Sequence, residues 1–223
     1  MVVLVSFRRP APTEFRVIDG GRAAHRQLTD GEVVAAVRAG HDDVADAVYD
    51  RLVSVVEGTL YRMLGARGDD HDDLVQSAFE QIVKTLRSGK FAHECSLQAW
   101  AGLITSRIAL NAIRDRKRRR RFIDASCSAD DASRELHAPD DVHRVVAARG
   151  DLDRLRLHLS QLSRPKALTV VLHDILGHEI TEVARLTDAS VVAAQSRLAR
   201  ARRELRRRLD QDEAAPSEGG KRS

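Results

Sequence analysis

EITEVARLTDASVVAAQSRLARARREL, from Glu179 to Leu205, reads as a short helix from Thr181 to Leu186, a tight break at Thr187-Asp188-Ala189, and a long helix from Ser190. Two helices joined by about three or four residues make a helix-turn-helix. Val183 and Ala184 of the first helix face Ala194, Leu198 and Ala201 of the second, and these five would pack the angle between them. Ser190 has the hydroxyl that caps a helix start. The outward face would present Ser190, Gln195, Ser196, Arg197, Arg200 and Arg203. These types suit a duplex: Arg pairs with guanine, Gln with adenine, and Ser and Arg reach phosphates. The bland alternative is a helical hairpin with a solvated arginine face, which shares the spacing.

Upstream, the chain is helical in pattern and strands are not signalled. Thr29 and Glu32 have capping-box spacing before Val33, Val34 and Val37. A helix is predicted from Asp42 to Leu64, with Val44, Val48, Leu52, Val55, Val56, Leu60 and Met63 at helical spacing. After Asp69-Asp70-His71-Asp72-Asp73, a third helix carries Leu74, Val75, Ala78, Phe79, Ile82, Val83 and Leu86. Acidic residues suit its N-terminus, where the helix dipole favours negative charge. A fourth runs from about Leu97 through Trp100, Leu103, Ile104, Ile108 and Ile113 into RDRKRRRR, Arg114 to Arg121. Beyond it come the stripes Leu152, Leu155, Leu159 and Leu168, Val171, Leu172, Ile175, the latter closed by Gly177.

The composition fits that reading. Of 223 residues, 43% are apolar and 31% charged, enough for a real core. Aromatics are 4%, which argues against a β-sandwich or barrel. No apolar run reaches the ~18 residues of a membrane span, and Met1 to Phe7 is too short for a signal peptide. A cytoplasmic protein is expected. The net charge is only +4, but the charge is uneven: RDRKRRRR is basic at seven of eight positions, and RLARARRELRRR, Arg197 to Arg208, holds seven arginines in twelve. Dense basic runs on helices are the electrostatic footprint of nucleic-acid binding.

The expected organisation is all-α: two helical domains joined by a flexible linker, the second with the helix-turn-helix. Residues 1–28 read as a tail, 29–121 as the first domain, 122–143 as an acidic Ser-, Asp- and Ala-rich linker, 144–209 as the second domain and 210–223 as a disordered tail.

At this point the motifs resemble a family. Ser196-Arg197-Leu198-Ala199-Arg200-Ala201-Arg202 matches the closing pattern of the extracytoplasmic-function (ECF) class of bacterial RNA polymerase sigma factors. Asp72-Asp73-Leu74-Val75-Gln76, then Ala78-Phe79, matches its D-D-L-V-Q helix, and Leu97-Gln98-Ala99-Trp100, Asn111 and the run to Arg121 match the segment after it. The resemblance covers about residues 29–209. It implies that the first domain is sigma region 2 and the second region 4. It implies polymerase binding, at the β′ clamp, by Asp73, Leu74, Gln76, Phe79 and Gln81. It implies −10 reading and duplex opening by Arg107, Asn111, Arg114, Lys117 and Arg118, and −35 reading by the helix from Ser190. The implied partners are core RNA polymerase, through the β′ clamp and β flap, promoter DNA, and an anti-sigma factor as a further candidate.

The chain departs from the family pattern in the second domain. Ser190-Val191-Val192-Ala193 stands where the family often has Pro-x-Gly-Thr, and Gln195 where a basic residue is usual. Trp100 reads as core by its apolar company, leaving few aromatics to stack on opened bases. The acidic linker reads either as a solvated tether or, as the resemblance implies, as a segment threading the polymerase.

A stand-alone helix-turn-helix regulator would explain the arginines of 197–208 but neither the first basic run nor Asp72 to Gln76. An enzyme is not expected: no nucleophile motif is present. The acidic cluster at 69–73 points its side chains in different directions, so no metal or cofactor is expected. Cys95 and Cys127 leave a redox pair open, against the commoner small buried thiol.

Overall fold

The structure, a computed structural model, describes residues 29–40, 44–65, 68–92, 94–126 and 140–214. The chain folds into α1 (Asp30–Ala39), α2 (Ala45–Leu64), α3 (His71–Arg87), α4 (Leu97–Ser126), α5 (Asp140–Gln161), α6 (Arg164–Val170), α7 (Ile180–Leu186) and α8 (Val191–Ala214). No strand occurs among the described residues. This is the two-domain all-α architecture expected, with α1–α4 as one bundle and α5–α8 as the other. Residues 1–28, 127–139 and 215–223, which hold most of the expected tails and linker, lie outside the described residues. Helical backbone covers both edges of the stretch read as linker, since α4 continues to Ser126 and α5 begins at Asp140.

Local chemistry sets the helix ends. Thr29 and Glu32 close the capping box: the Thr29 amide donates to Glu32 Oε2 at 2.7 Å and the Glu32 amide to Thr29 Oγ1 at 3.3 Å. Gly31 does not disturb it. Asp30, in the same turn, accepts from the Leu97 amide at 2.9 Å, so the cap of α1 also ties down the start of α4. α2 ends at Gly65 with φ 80°, a left-handed conformation that glycine adopts without strain. Val33, Val34, Val48, Leu52, Val56, Leu60, Phe79, Ile82 and Leu86 are buried as their periodicity predicts. Along the stripe Leu152, Leu155 and Leu159, burial grows toward the C-terminal end of α5: Leu152 is 47% exposed, Leu155 half-buried and Leu159 buried.

α4 is the hub. From Leu97 to Ile113 most of its residues are buried, including Thr105 and Ser106, whose hydroxyls donate back to the Ala101 and Gly102 carbonyls. A helix buried all round is covered on more than one side. α2 and α3 pack on one flank of α4, and α5 and α6 on another. One contiguous apolar core runs from Val33 through Leu110 to Leu172 and Leu205.

After α6 the chain widens into a π-helical turn, Val171–Ile175, before Gly177 stops it with φ 80°. Lys166 of α6 donates to Glu204 of α8 at 2.8 Å, and Arg208 donates to the same carboxylate at 2.7 Å. Lys166 first, then Arg208, holds the Glu204 carboxyl below its ordinary 4.5. A carboxyl depressed in the fold stabilises it above the unfolded value and loses that contribution as pH falls through the folded value. Glu204→Gln is therefore expected to lower stability by about 1 kcal/mol at pH 7. In urea unfolding, that gap should shrink as pH falls below 4.5 and on through the lowered folded value. A gap that persists unchanged at pH 3 would show that Glu204 acts through packing alone.

Candidate nucleic-acid interface

The helix-turn-helix forms where the sequence placed it. α7 ends at Leu186. The turn passes through Asp188 at φ 49°, an uncommon left-handed conformation for a residue other than glycine. The Ala189 amide donates to the Ala184 carbonyl at 2.9 Å. Ser190 caps α8: the Ala193 amide donates to Ser190 Oγ at 3.2 Å. Val183, Ala184, Ala194, Leu198 and Ala201 are all buried in the angle between α7 and α8.

The outer face of α8 is open. Gln195, Ser196, Arg200 and Arg203 are exposed, Ser190 is exposed at the cap, and Arg197 is half-buried. The arginines divide by job. Arg202 pairs with Asp174 of the π-helical turn, and Arg208 with Glu204. Arg197, Arg200, Arg206 and Arg207 have no carboxylate partner among the described residues. Paired arginines hold α8 in place, and unpaired ones leave positive charge facing outward.

The residues suggested for the −10 element are arranged differently. Arg107, Asn111 and Arg118 are exposed and Lys117 is half-buried. Three of the five face the second domain. Arg114 donates to the Ser160 carbonyl at 3.2 Å and to the Leu162 carbonyl at 3.2 Å, at the end of α5. Arg164, which opens α6, donates to Asn111 Oδ1 at 3.2 Å. Partial burial, then the like charge of Arg164, lowers the Arg107 pKa from its usual value. Arg118 makes a local ion pair with Asp115 at 2.8 Å. The structure thus brings Arg107, Asn111 and Arg114 together against α5 and α6 and leaves Arg118 apart.

On α3, Asp73, Gln76 and Gln81 are exposed on the outer face and Leu74 is half-buried. Phe79 is not on that face. It is 1% exposed, with its ring 5.0 Å from that of Tyr49. Its suggested place in a polymerase-binding surface is corrected: position 79 shares the inward stripe with Ile82 and Leu86. Trp100 is half-buried with its ring 5.1 Å from that of Phe91, in the core role that periodicity gave it.

Sequence reasoning missed the residues that join the bundles. Arg156 donates to the Met63 carbonyl at 2.8 Å, Arg185 reaches the Glu94 carbonyl at 3.4 Å, and Arg164 meets Asn111. An arginine bonded to a main-chain carbonyl has no sequence signature, since every residue supplies the acceptor. The Arg116 guanidinium holds the Asp70 carboxyl below its ordinary range, a partnership across α3 and α4 that the acidic pattern at 69–73 does not signal. Cys95 is half-buried, with a thiol raised first by that burial. Cys127 lies outside the described residues. Among the described residues, no group of three or more His, Cys, Asp or Glu is placed to hold a metal ion, and no helix is long and apolar enough to cross a membrane.

Comparison with known proteins agrees with this geometry. Residues 48–119 match the family Sigma-70 region 2, and residues 152–205 match Sigma-70, region 4. The chain is similar to RNA polymerase sigma factor CarQ of Myxococcus xanthus, 30% identical over 172 residues, which is 77% of this chain and 92% of CarQ. It is similar to ECF RNA polymerase sigma factor SigM of Mycobacterium tuberculosis, 27% identical over 190 residues, 85% of this chain and 88% of SigM. Among solved structures, CnrH in complex with the cytosolic domain of CnrY aligns over 82% of this chain and 98% of its own, at 25% identity and a TM-score of 0.48. The region 2 match falls on α2 to α4 and the region 4 match on α5 to α8. This chain belongs to the ECF class of RNA polymerase sigma factors, the DNA-binding proteins that associate with RNA polymerase in transcription initiation.

Proposed function

We propose that this sigma factor directs core polymerase to a two-part promoter, with α8 reading the −35 element and α4 engaging and helping to open the −10 element. It acts where polymerase acts, in the cytoplasm. The observation that carries the reading is the pair of basic helices, α4 and α8, in separate bundles of one chain. Two readers on one chain gain affinity through effective concentration when both sites are engaged. The outer face of α3, with Asp73, Gln76 and Gln81, is the polymerase-binding surface in this reading, at the β′ clamp. A stand-alone regulator would account for α7 and α8 but would leave the region 2 match without a job.

Engagement of the −10 element requires the second bundle to leave α4. Arg107, Asn111 and Arg114 are the candidate strand contacts; in the closed arrangement Arg114 is held by the end of α5 and Asn111 by Arg164 of α6, with Arg107 beside Arg164. Polymerase binding would supply the separation.

The test is reconstitution with core polymerase, sequencing of the transcript starts, and run-off transcription from a matched promoter. Lengthening the spacer by about 5 bp rotates one element by half a helical turn of about 10.5 bp. Run-off is expected to fall about tenfold or more as the second site is lost. Equal transcription from both spacers would contradict a two-site reader and favour the stand-alone regulator.

A further inference from the structure

The exposed stripe of α8 changes character along its length. Val192, Ser196, Arg200, Arg203 and Arg207 follow one another at spacings of three or four, and so lie on one face. All five are exposed. Val192 is 72% exposed and its neighbour Val191 38%. The stripe is therefore apolar at the N-terminus, small and neutral in the middle, and positive toward the C-terminus. Among the described residues, no packing role accounts for the apolar end. Valine is a poor helix former, and the angle between α7 and α8 is already filled by Ala194 and Leu198. Ser190 supplies the cap without them.

We infer that Val192, with Val191 beside it, is a specificity-determining contact to the 5-methyl group of a thymine in the DNA that α8 reads. The inference rests on the −35 role proposed above and deepens it. A recognition helix presents its N-terminal residues to base edges, and its flanks meet the backbone. Among base edges in the major groove, the thymine methyl is the apolar group. A valine carried to that depth has one favourable neighbour there, and against a base amino or carbonyl group it would strip water without supplying a hydrogen bond. The charge order agrees: Arg200, Arg203 and Arg207 fall farther along the helix, where phosphates lie.

The experiment uses the holoenzyme, reconstituted from full-length protein and core polymerase. A pool of promoters randomised over the −35 region is selected for binding. Each thymine in the selected site is then replaced in turn by deoxyuridine, which lacks the 5-methyl group. One thymine is expected at which the replacement weakens binding roughly fourfold, the equivalent of one buried methyl. With Val192→Ala, a substitution that favours the helix, thymine and deoxyuridine at that position should bind alike. Selection of no upstream sequence would sink the −35 reading and this contact with it. A selected site that tolerates deoxyuridine everywhere, or that keeps its full methyl dependence with Val192→Ala, would overturn the contact and leave the −35 reading standing. Loss of polymerase assembly by Val192→Ala would likewise overturn it, by assigning the exposed valines to a protein partner.

Discussion

Phe79→Ala is expected to remove about 3–5 kcal/mol of folding stability, the range for emptying a buried aromatic position. Domains of this kind are stable by only about 5–15 kcal/mol, so the loss is a large share of the whole. The ring is 1% exposed and tilted 31° against Tyr49. Removing it uncouples α3 from α2 and leaves a cavity between Ile82 and the α2 stripe. The urea midpoint should fall steeply, with helical circular dichroism lost at lower temperature. The exposed face gives the contrast. Replacing Gln76 and Gln81 together with Ala should change stability by less than about 0.5 kcal/mol, as surface changes do. In a pulldown, however, it should weaken capture by core polymerase. If Phe79→Ala proved as stable as the wild type while abolishing capture, the ring would belong to the interface and the core assignment would be wrong.

The second large effect is expected at Gly65. Its φ is 80°, and a Cβ there would collide with the Arg156 guanidinium, whose central carbon would sit 2.8 Å away. A side chain in the left-handed region costs roughly 1–2 kcal/mol by itself. The arginine end is flexible and would move, but in moving it gives up the Met63 carbonyl at 2.8 Å and Asp153 at 2.8 Å. A charge-assisted hydrogen bond is worth about 1.5–3 kcal/mol. Gly65→Ala should therefore cost about 3 kcal/mol and loosen α5 from the end of α2. Fluorophores on α3 and α8 would report the bundles moving apart. In an Arg156→Ala background the collision is absent, so Gly65→Ala should cost only the backbone part. Equal costs in both backgrounds would show that Arg156 does not couple the bundles.

Much of this molecule could be read from periodicity and capping. The capping box at Thr29, the Ser190 cap and the five residues packed between α7 and α8 follow from side-chain chemistry local to each turn. Phe79 shows where two readings of one sequence compete. Helical spacing put it with Ile82 and Leu86, the family resemblance put it at a partner surface, and burial follows the spacing. The π-helical turn at Val171–Ile175 left no mark, because a bond to the fifth residue back uses the same backbone groups as an ordinary turn. The closed arrangement was also invisible. It rests on Arg114, Arg156 and Arg164 reaching main-chain and amide oxygens that no pattern announces. Arg114 lies in a run of arginines whose composition fits DNA equally well, and Arg156 and Arg164 lie outside both basic runs.

The grip of Arg114 on the Ser160 and Leu162 carbonyls has a consequence for ionic strength. These acceptors are dipoles, not ions, so dissolved salt screens the contact weakly. Screening also relieves the repulsion between Arg107 and Arg164, which the closed arrangement brings near one another. DNA responds in the opposite sense: each phosphate neutralised releases counterions, and affinity falls with a log–log slope of about −0.9 per contact. Rising ionic strength therefore acts twice in one direction, easing the closed chain together while weakening the polyanion that, in the proposed function, competes for the same arginines.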